Sequence, residues 1–401
     1  MKLVSPPAID PFNAGGRGLQ HQGLRRANER AVLTLIGFNN GLSNADIARL
    51  SGLAPQTVSA ILANLQEAGL IERGPVLRGR RGQPATPIFL RAEGAFSIGV
   101  EVGWRRAEVV LLDLAAKVRS SRRWHYDYPN ATSIAGEITF AVEGLLQALS
   151  AEQRALARTI GIALPSDIAG YGGIPDEQRA LWAELDLSRE LERRTGLEAS
   201  LFNDGNAACW SELIAFSRPR PGNFIYFLVS HYIAAGIVGE GTLWEGPSGK
   251  SANLGSMLVR HRDGPLQQAY HIASVSALEA RLAQAGHRFT SGLWETWDWE
   301  AFAPVVDQWI ADSGNILARV MFNTSMVIET DLVVLDTILP NWLSARLVEK
   351  VKEELRELPV ASFTPPQVRL GHLGPLAPAV GAAELTLYRR YFSRTLADLV
   401  G

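Results

Sequence analysis

Cysteine is almost absent from this 401-residue chain, which contains a single one, Cys209. One cysteine excludes an intrachain disulfide and is typical of a protein from a reducing compartment. The seven histidines are scattered along the chain, so the spacing of a zinc cluster is missing too. We therefore expect no structural metal and no cofactor.

Long apolar runs are missing as well. No run of about 18 or more apolar residues occurs, and the N-terminus has no signal-peptide core, so we expect no membrane contact and a cytoplasmic location. The chain has 39 Lys and Arg against 41 Asp and Glu, but this balance hides a partition. Residues 1–93 carry 11 basic and 6 acidic side chains, which indicates that the N-terminal part alone meets nucleic acid.

Residues 44–71 predict two short helices joined by a tight turn at Gly52. Apolar residues recur at helical spacing in both segments, and Pro55 suits the first turn of the second helix. Polar side chains at that helix start can reach base edges when it enters a major groove. The predicted DNA-contacting residues here are Asn44, Pro55, Gln56, Thr57 and Ser59. A helical hairpin that merely packs against a core is the alternative.

The following segment, residues 72–90, predicts a strand, a basic loop rich in glycine and proline, and a second strand. Arg78, Arg80 and Arg81 stand between glycines in this loop, and arginine there can pair with phosphates or enter a narrow minor groove. A solvated basic loop is the alternative. Hairpin and loop together predict a winged helix-turn-helix over residues 21–92, preceded by a flexible arm at residues 1–20.

Beyond residue 93 the pattern is typical of an α/β protein. A strand meander followed by alternating helices and strands occurs twice, and the second occurrence starts near residue 223. We expect a first lobe at residues 93–215 and a second at residues 216–379. The cleft between two such lobes is where a small ligand usually binds.

The winged helix-turn-helix is followed by four segments, Ile98–Gly103, Gly161–Pro165, Phe202–Ala208 and Gly246–Met257. In this order they resemble the ROK family of bacterial repressors and sugar kinases. The resemblance implies a two-lobed actin-like, ribonuclease-H-like ATPase fold, with a last helix at residues 380–401 packing on the first lobe. The fused head resembles the repressor branch of the family rather than the kinase branch.

Departures from the family pattern indicate that catalysis is lost. Where the family's kinases have an Asp-x-Gly-Gly-Thr-type turn for ATP phosphates, this chain has Glu101 and, three residues later, Trp104. A second, glycine-rich phosphate turn is replaced by a segment with His231 and Tyr232, which disfavours the cradle of backbone N–H groups that holds phosphate. The family's zinc cysteines are absent, and His271 is expected to be a packed or surface residue. We expect no catalytic residue and no metal ligand.

Asn203 and Asp204 match the family motif whose amide and carboxylate hydrogen-bond sugar hydroxyls. A simple helix N-cap is the alternative for this pair. The resemblance extends the predicted ligand set to Ser166, Asn203, Asp204, Asn253 and Ser256. Trp182 and Trp244 could stack on a sugar ring, although core packing is favoured for both.

The sequence therefore predicts a DNA-binding regulator, most simply a repressor. Its expected partners are a pseudo-palindromic double-stranded DNA operator, a sugar or sugar-like effector, and further copies of itself in a homodimer or dimer of dimers. Two alternatives stay open: an active sugar kinase with an accessory head, and a regulator whose body serves only for dimerisation.

Overall fold

The computed structural model describes residues 21–39, 41–75, 86–170, 173–262, 264–360 and 364–393. The predicted arm at residues 1–20 and the arginine loop therefore lie outside the described residues. We call the described residues between 21 and 90 the head and the later ones the body. In the described part, no helix is long and apolar enough to cross a membrane.

The head consists of three helices and a two-stranded antiparallel sheet. Apolar residues from all of these elements share one core, in which Ile47, Val58, Leu62 and Ile88 are inaccessible to solvent. Leu42 forms an isolated bridge with Ile88, which ties the start of the hairpin to the small sheet. The elements are α1 (His21–Phe38), α2 (Asn44–Ser51), α3 (Pro55–Glu67), β1 (Ile71–Arg73) and β2 (Ile88–Leu90).

The first lobe of the body is built on a five-stranded sheet in the order β5-β4-β3-β6-β7. Strands β5, β4 and β3 are antiparallel, whereas β6 and β7 run parallel to β3. The strands are β3 (Phe96–Val102), β4 (Arg106–Asp113), β5 (Val118–His125), β6 (Ala157–Leu164) and β7 (Glu198–Asn203). The helices are α4 (Ile134–Gln147), α5 (Ala151–Ala155), α6 (Asp176–Glu184), α7 (Leu187–Thr195) and α8 (Asp204–Ala215).

The second lobe repeats this topology. Its five-stranded sheet has the order β10-β9-β8-β13-β14, again with an antiparallel meander followed by two parallel strands. The sheet strands are β8 (Phe224–Val229), β9 (Ile233–Gly239), β10 (Thr242–Leu243), β13 (Leu332–Thr337) and β14 (Gln367–Leu370), with a separate hairpin of β11 (Leu258–Arg260) and β12 (Leu266–Gln268). The helices are α9 (Tyr270–Ala273), α10 (Val275–Gln284), α11 (Ala303–Ile328) and α12 (Asn341–Arg356). The predicted duplicated α/β architecture is confirmed.

The last described helix, α13 (Ala377–Tyr391), returns to the first lobe and packs on β3, β6 and α8. It begins three residues before the predicted range, and residues 394–401 of that range lie outside the described residues. Glycines permit this close approach: a Cβ on Gly161 would lie 2.0 Å from the Ala382 carbonyl oxygen, and one on Gly381 would lie 1.7 Å from that of Ala207.

Candidate DNA-binding surface and ligand site

The helix-turn-helix is organised by local signals at its helix ends. Ser43 caps α2, and its backbone N–H and hydroxyl both bond to Asp46, which completes a capping box. These bonds hold the pKa of Asp46 below its usual value. Gly52 ends α2 with φ of +67°, a conformation that glycine adopts without strain. Pro55 follows as the first residue of α3, so the sharp turn between the two helices is built from residues suited to it.

The start of α3 leaves a polar surface exposed to solvent. Pro55, Gln56 and Thr57 are exposed, whereas the next residue, Val58, is fully buried in the head core. Two other predicted DNA contacts bond to each other, since Asn44 Nδ2 donates to Ser59 Oγ at 2.9 Å, and that hydroxyl donates to the Pro55 carbonyl at 2.9 Å. Asn44 and Ser59 thus join α2 to α3 in the absence of DNA.

Three of the predicted ligand residues meet where β7 ends and α8 begins. Asn203 is the N-cap of α8, and its Oδ1 accepts from the Asn206 N–H at 3.0 Å. Its Nδ2 donates to Ser166 Oγ at 3.0 Å and to Asp204 Oδ1 at 3.1 Å. The cap uses the amide oxygen and the two internal bonds use the amide nitrogen, so a ligand that accepts from Asn203 would have to replace Ser166 or Asp204 as its partner.

Asp204 is held by hydrogen bonds at its carboxylate. Its Oδ1 accepts from the Gly205 N–H at 2.8 Å and from Asn203 Nδ2 at 3.1 Å. Burial raises the pKa of Asp204 to about 6, against the opposing effect of hydrogen bonds from Gly205 and Asn203. Functional sites commonly contain a carboxylate whose pKa is raised by desolvation in this way.

A loop of the second lobe closes against this trio. Lys250 Nζ lies 3.3 Å from the Ser166 carbonyl oxygen, and Asn206 Nδ2 donates to the Gly249 carbonyl at 3.2 Å. Asn253 and Ser256 lie farther along, at the 3₁₀ turn Leu254–Ser256, and within the described residues no hydrogen bond joins their side chains to the trio.

The two tryptophans considered as sugar-stacking residues lie in different environments. Trp182 is buried, and its Nε1 donates to the Pro129 carbonyl at 2.8 Å, in keeping with a core role. Trp244 is 56% exposed, so the favoured interpretation of Trp244 as a core residue is wrong. Trp244 directly follows strand β10, where a loop begins, and this position exposes its ring. The apolar character of the residue did not indicate that position. His271 is exposed, with its ring 4.3 Å from that of Tyr270.

The turn after β3 and the turn before β9 contact each other across the lobes. The rings of Trp104, after β3, and Tyr232, before β9, lie 5.0 Å apart in an edge-to-face arrangement, a favourable geometry for aromatic pairs. Tyr232 also packs on Tyr270, at 5.3 Å. The side chains of Trp104 and Tyr232 thus bring the two turns together. The sequence showed each change singly but not their contact.

Glu101, near the end of β3, pairs with an arginine of its own chain. Arg106 Nη2 lies 2.7 Å from Glu101 Oε2 in a buried ion pair, and it also donates to the Pro375 carbonyl at 2.6 Å. Burial nevertheless raises the pKa of Glu101 to about 7, with Asp204 and Glu108 adding to the rise. No group of three or more His, Cys, Asp and Glu side chains is placed to hold a metal in the described part of the chain.

Helix α8 connects the Asn203–Asp204 site with the head. It starts at Asp204, and near its other end Trp210 packs on Tyr388 of α13, with ring centroids 4.6 Å apart. Tyr388 in turn packs edge-to-face on Phe38 of the head, at 6.4 Å. Arg218, just beyond α8, donates to the Gly37 carbonyl at 2.9 Å. The ligand site and the head attachment therefore share one rigid element.

Comparisons with known proteins agree with this architecture. A model of the ROK family matches residues 97–389, and a model of the MarR family matches residues 22–82. The chain is 25% identical over 377 residues to protein y4fQ of Sinorhizobium fredii, covering 92% of this chain and 93% of y4fQ. It is 24% identical to the xylose repressor of Bacillus subtilis over 59% of this chain and 61% of the repressor. It is 27% identical to the DNA-binding transcriptional dual regulator NagC of Escherichia coli over 65% of this chain and 64% of NagC.

Solved structures show the same fold. A ROK family transcriptional regulator, described as a homologue of the E. coli MLC protein, aligns with a TM-score of 0.68 and 21% identity, covering 94% of this chain and 99% of that one. A ROK family glucokinase from Streptomyces griseus, in complex with glucose and AMPPNP, aligns with a TM-score of 0.58 and 19% identity, covering 73% and 99%. The glucokinase alignment shows that kinases share the fold of the body.

Proposed function

Because the chain belongs to the ROK family, we propose that it is a sugar-responsive, DNA-binding transcriptional regulator that acts as a repressor. The observation that carries the proposal is the path of α8, which starts at the Asn203–Asp204 site and ends against the residues that hold the head. A ligand that moves the start of this helix acts directly on the head. Two named relatives, a xylose repressor and NagC, support the regulatory role.

We propose that α3 is the recognition helix. Gln56 and Thr57 read base edges, because they are exposed at the N-terminal turn that enters the major groove. Asn44 and Ser59 position that turn through their mutual hydrogen bond. Arg78, Arg80 and Arg81 are predicted to hold the flanking phosphates or minor groove, and this prediction falls outside the described residues.

A pseudo-palindromic operator requires two heads. We propose a homodimer, or a dimer of dimers, formed mainly through the body, with the two recognition helices in major grooves one DNA turn apart, about 10 base pairs centre to centre. The effector changes the spacing or orientation of the heads and thereby the operator affinity.

The effector site is proposed at Ser166, Asn203 and Asp204. The Asp204 carboxylate accepts from ligand hydroxyls and the neighbouring amide and hydroxyl complete a set for a diol. Asn253 and Ser256 belong to the set only if the ligand or a lobe movement brings their turn closer. The effector is a sugar or a sugar-like molecule.

We propose that the body does not phosphorylate its ligand. Two observations support this: Trp104 and Tyr232 pack together between the former phosphate turns, and Arg106 occupies Glu101 in an internal ion pair. Incubation of the purified protein with Mg-ATP and a panel of sugars should release no ADP above the level without sugar. Sugar-dependent turnover would establish the kinase alternative.

The regulatory proposal is tested by selecting duplexes from a random-sequence library with the full-length protein. The selected duplex is then titrated by fluorescence anisotropy with and without xylose, glucose or N-acetylglucosamine. We expect a twofold-symmetric site whose affinity changes at least tenfold with a sugar, and we expect Asp204→Asn to keep DNA binding but lose the response. No enriched sequence would refute the DNA-binding role. Enrichment of a duplex whose affinity does not change with any sugar would support the alternative in which the body serves only for assembly.

A further inference from the structure

A cavity of about 600 Å³ lies between the head and the body, away from the Asn203–Asp204 site. Its walls come from the end of α1, from β2, from the β4–β5 turn, and from α8 and α13. A volume of this size is typical of small-molecule sites. Apolar side chains dominate the walls, among them Phe38, Leu90 and Phe392.

Two buried polar atoms in these walls, Oε2 of Glu384 and Nε1 of Trp210, have no hydrogen-bond partner among the residues that the structure describes. The two residues are 7% and 4% exposed, respectively. Buried polar groups are nearly always paired in native proteins, and an exception calls for an explanation. Both atoms belong to residues of the same cavity, so one ligand group that hydrogen-bonds to both of them would explain them together.

The charges around the cavity favour an anion. Arg220 donates to the Ile214 carbonyl at 3.0 Å and lies over the Phe38 ring at 4.9 Å. Arg218 also lines the cavity. Burial raises the pKa of Glu384 well above its usual value, and Arg220 only partly opposes this, whereas two guanidinium groups, those of Arg218 and Arg220, stand in the same wall. Glu72, the other carboxyl in the wall, is exposed.

We propose that this cavity binds a second effector, a small molecule with an apolar body and one carboxylate group. The carboxylate lies among Arg220, the carboxyl group of Glu384 and the indole N–H of Trp210, and the apolar body lies against Phe38 and Phe392. Oε2 of Glu384 and Nε1 of Trp210 then each have a partner, and the charge of the ligand balances that of Arg220.

Such a ligand would act on the head directly. The cavity wall includes Gly37 and Phe38 from the head and Tyr388 from α13, which are among the residues through which the two parts touch. A molecule wedged between them stiffens the attachment of the head. This second site does not depend on the proposed sugar site, because the cavity shares only the far part of α8 with it.

The test uses three probes with one apolar body: 4-phenylbutyrate, 4-phenylbutan-1-ol and 4-phenylbutylamine. Each is titrated into the full-length protein by isothermal calorimetry. We expect the acid to bind at least tenfold more tightly than the alcohol or the amine. Hydrogen exchange should also slow in residues 35–38 and 384–391 when the acid is present, since these residues form the wall.

Three variants make the test specific. Arg220→Met should weaken the acid at least tenfold and change the alcohol less than twofold, whereas Arg288→Met, at an exposed arginine far along the chain, should change neither. Ala115→Trp, at an exposed position on the cavity wall, should block all three probes without disturbing the core. An unchanged melting temperature verifies that each variant is folded.

Failure to bind any probe would refute the cavity as a site. Equal binding of acid and alcohol, or a preference for the amine, would refute the carboxylate. Loss of operator selection with intact acid binding would refute the regulatory function alone, so the two proposals can fail separately.

Discussion

Replacing Asp204 by Asn should stabilise the protein at neutral pH while it removes the sugar response. Burial raises the pKa of Asp204 from 3.8 to about 6, so ionisation of this carboxyl opposes folding. Asn retains the oxygen that accepts from the Gly205 N–H and from Asn203 but carries no charge. A stabilising substitution at a ligand residue is the expected signature of a site kept for function.

The magnitude follows from proton linkage. The raised pKa of Asp204 lowers the free energy of unfolding by about 3 kcal/mol at pH 7. This value is an upper limit, because Asp204 is half-buried and water reaches it. This destabilisation is absent at pH values below the pKa that Asp204 has in the unfolded chain. It grows as the pH rises and is complete above the pKa that Asp204 has in the folded protein. At pH 5 it amounts to about half of its value at pH 7. Removing Asp204 also lowers the pKa of Glu101, which its charge raises.

The measurement is the melting temperature of wild type and Asp204→Asn at pH 7 and pH 5. We expect a gain of several degrees at pH 7, at about 2–4 °C per kcal/mol for a domain of 150–250 residues, and about half that gain at pH 5. Asp186→Asn is the matched control, since Asp186 caps α7 and its pKa is lowered by Ser188 and the Arg189 N–H. That control should bring no gain at pH 7. The reasoning is refuted if Asp204→Asn fails to stabilise at pH 7, or if its gain is the same at both pH values.

Three further predictions concern the head and the closest helix crossing. Ser43→Ala removes the capping box of α2 and should destabilise the head by about 1 kcal/mol, seen as faster hydrogen exchange in that helix; unchanged exchange would contradict it. Gly381→Ala would place a Cβ 1.7 Å from the Ala207 carbonyl oxygen and should lower the melting temperature strongly, whereas Gly222→Ala, whose Cβ meets open space, should not. Gln56→Ala should change which duplexes are selected more than it weakens binding overall; equal weakening on every duplex would assign it to positioning alone.

The helix-turn-helix could be predicted because its signals are local. A glycine at the left-handed end of α2 and a proline at the start of α3 act within a few residues of themselves. The repeated strand meander was equally readable, since period and length distinguish strands from helices. Several elements were not predicted, namely helices α5, α6, α9 and α12 and strands β10, β11, β12 and β14. Most of them are too short to show a period, whereas α12 does bury apolar residues at helical spacing.

Only part of the proposed ligand site could be predicted from the sequence. The motif indicated Asn203 and Asp204, but not that Asn203 divides its amide between a helix cap and Ser166, 37 residues earlier in the chain. The hydrogen bond between Asn44 and Ser59, on which we base the proposed positioning role of these residues, could not be predicted for the same reason. A side chain has several possible partners, and the folded chain chooses among them.

Propensity, periodicity and charge act along the chain, and for this reason the residues alone predicted the helix-turn-helix, the repeated meander and DNA as a partner. Packing in three dimensions was needed to show that Trp104 contacts Tyr232, that α8 joins the Asp204 site to the head, and that Glu384 and Trp210 line one cavity. These are contacts between residues far apart in the chain, and their energies depend on distance and burial, which appear only when the two sheets and α13 have packed together.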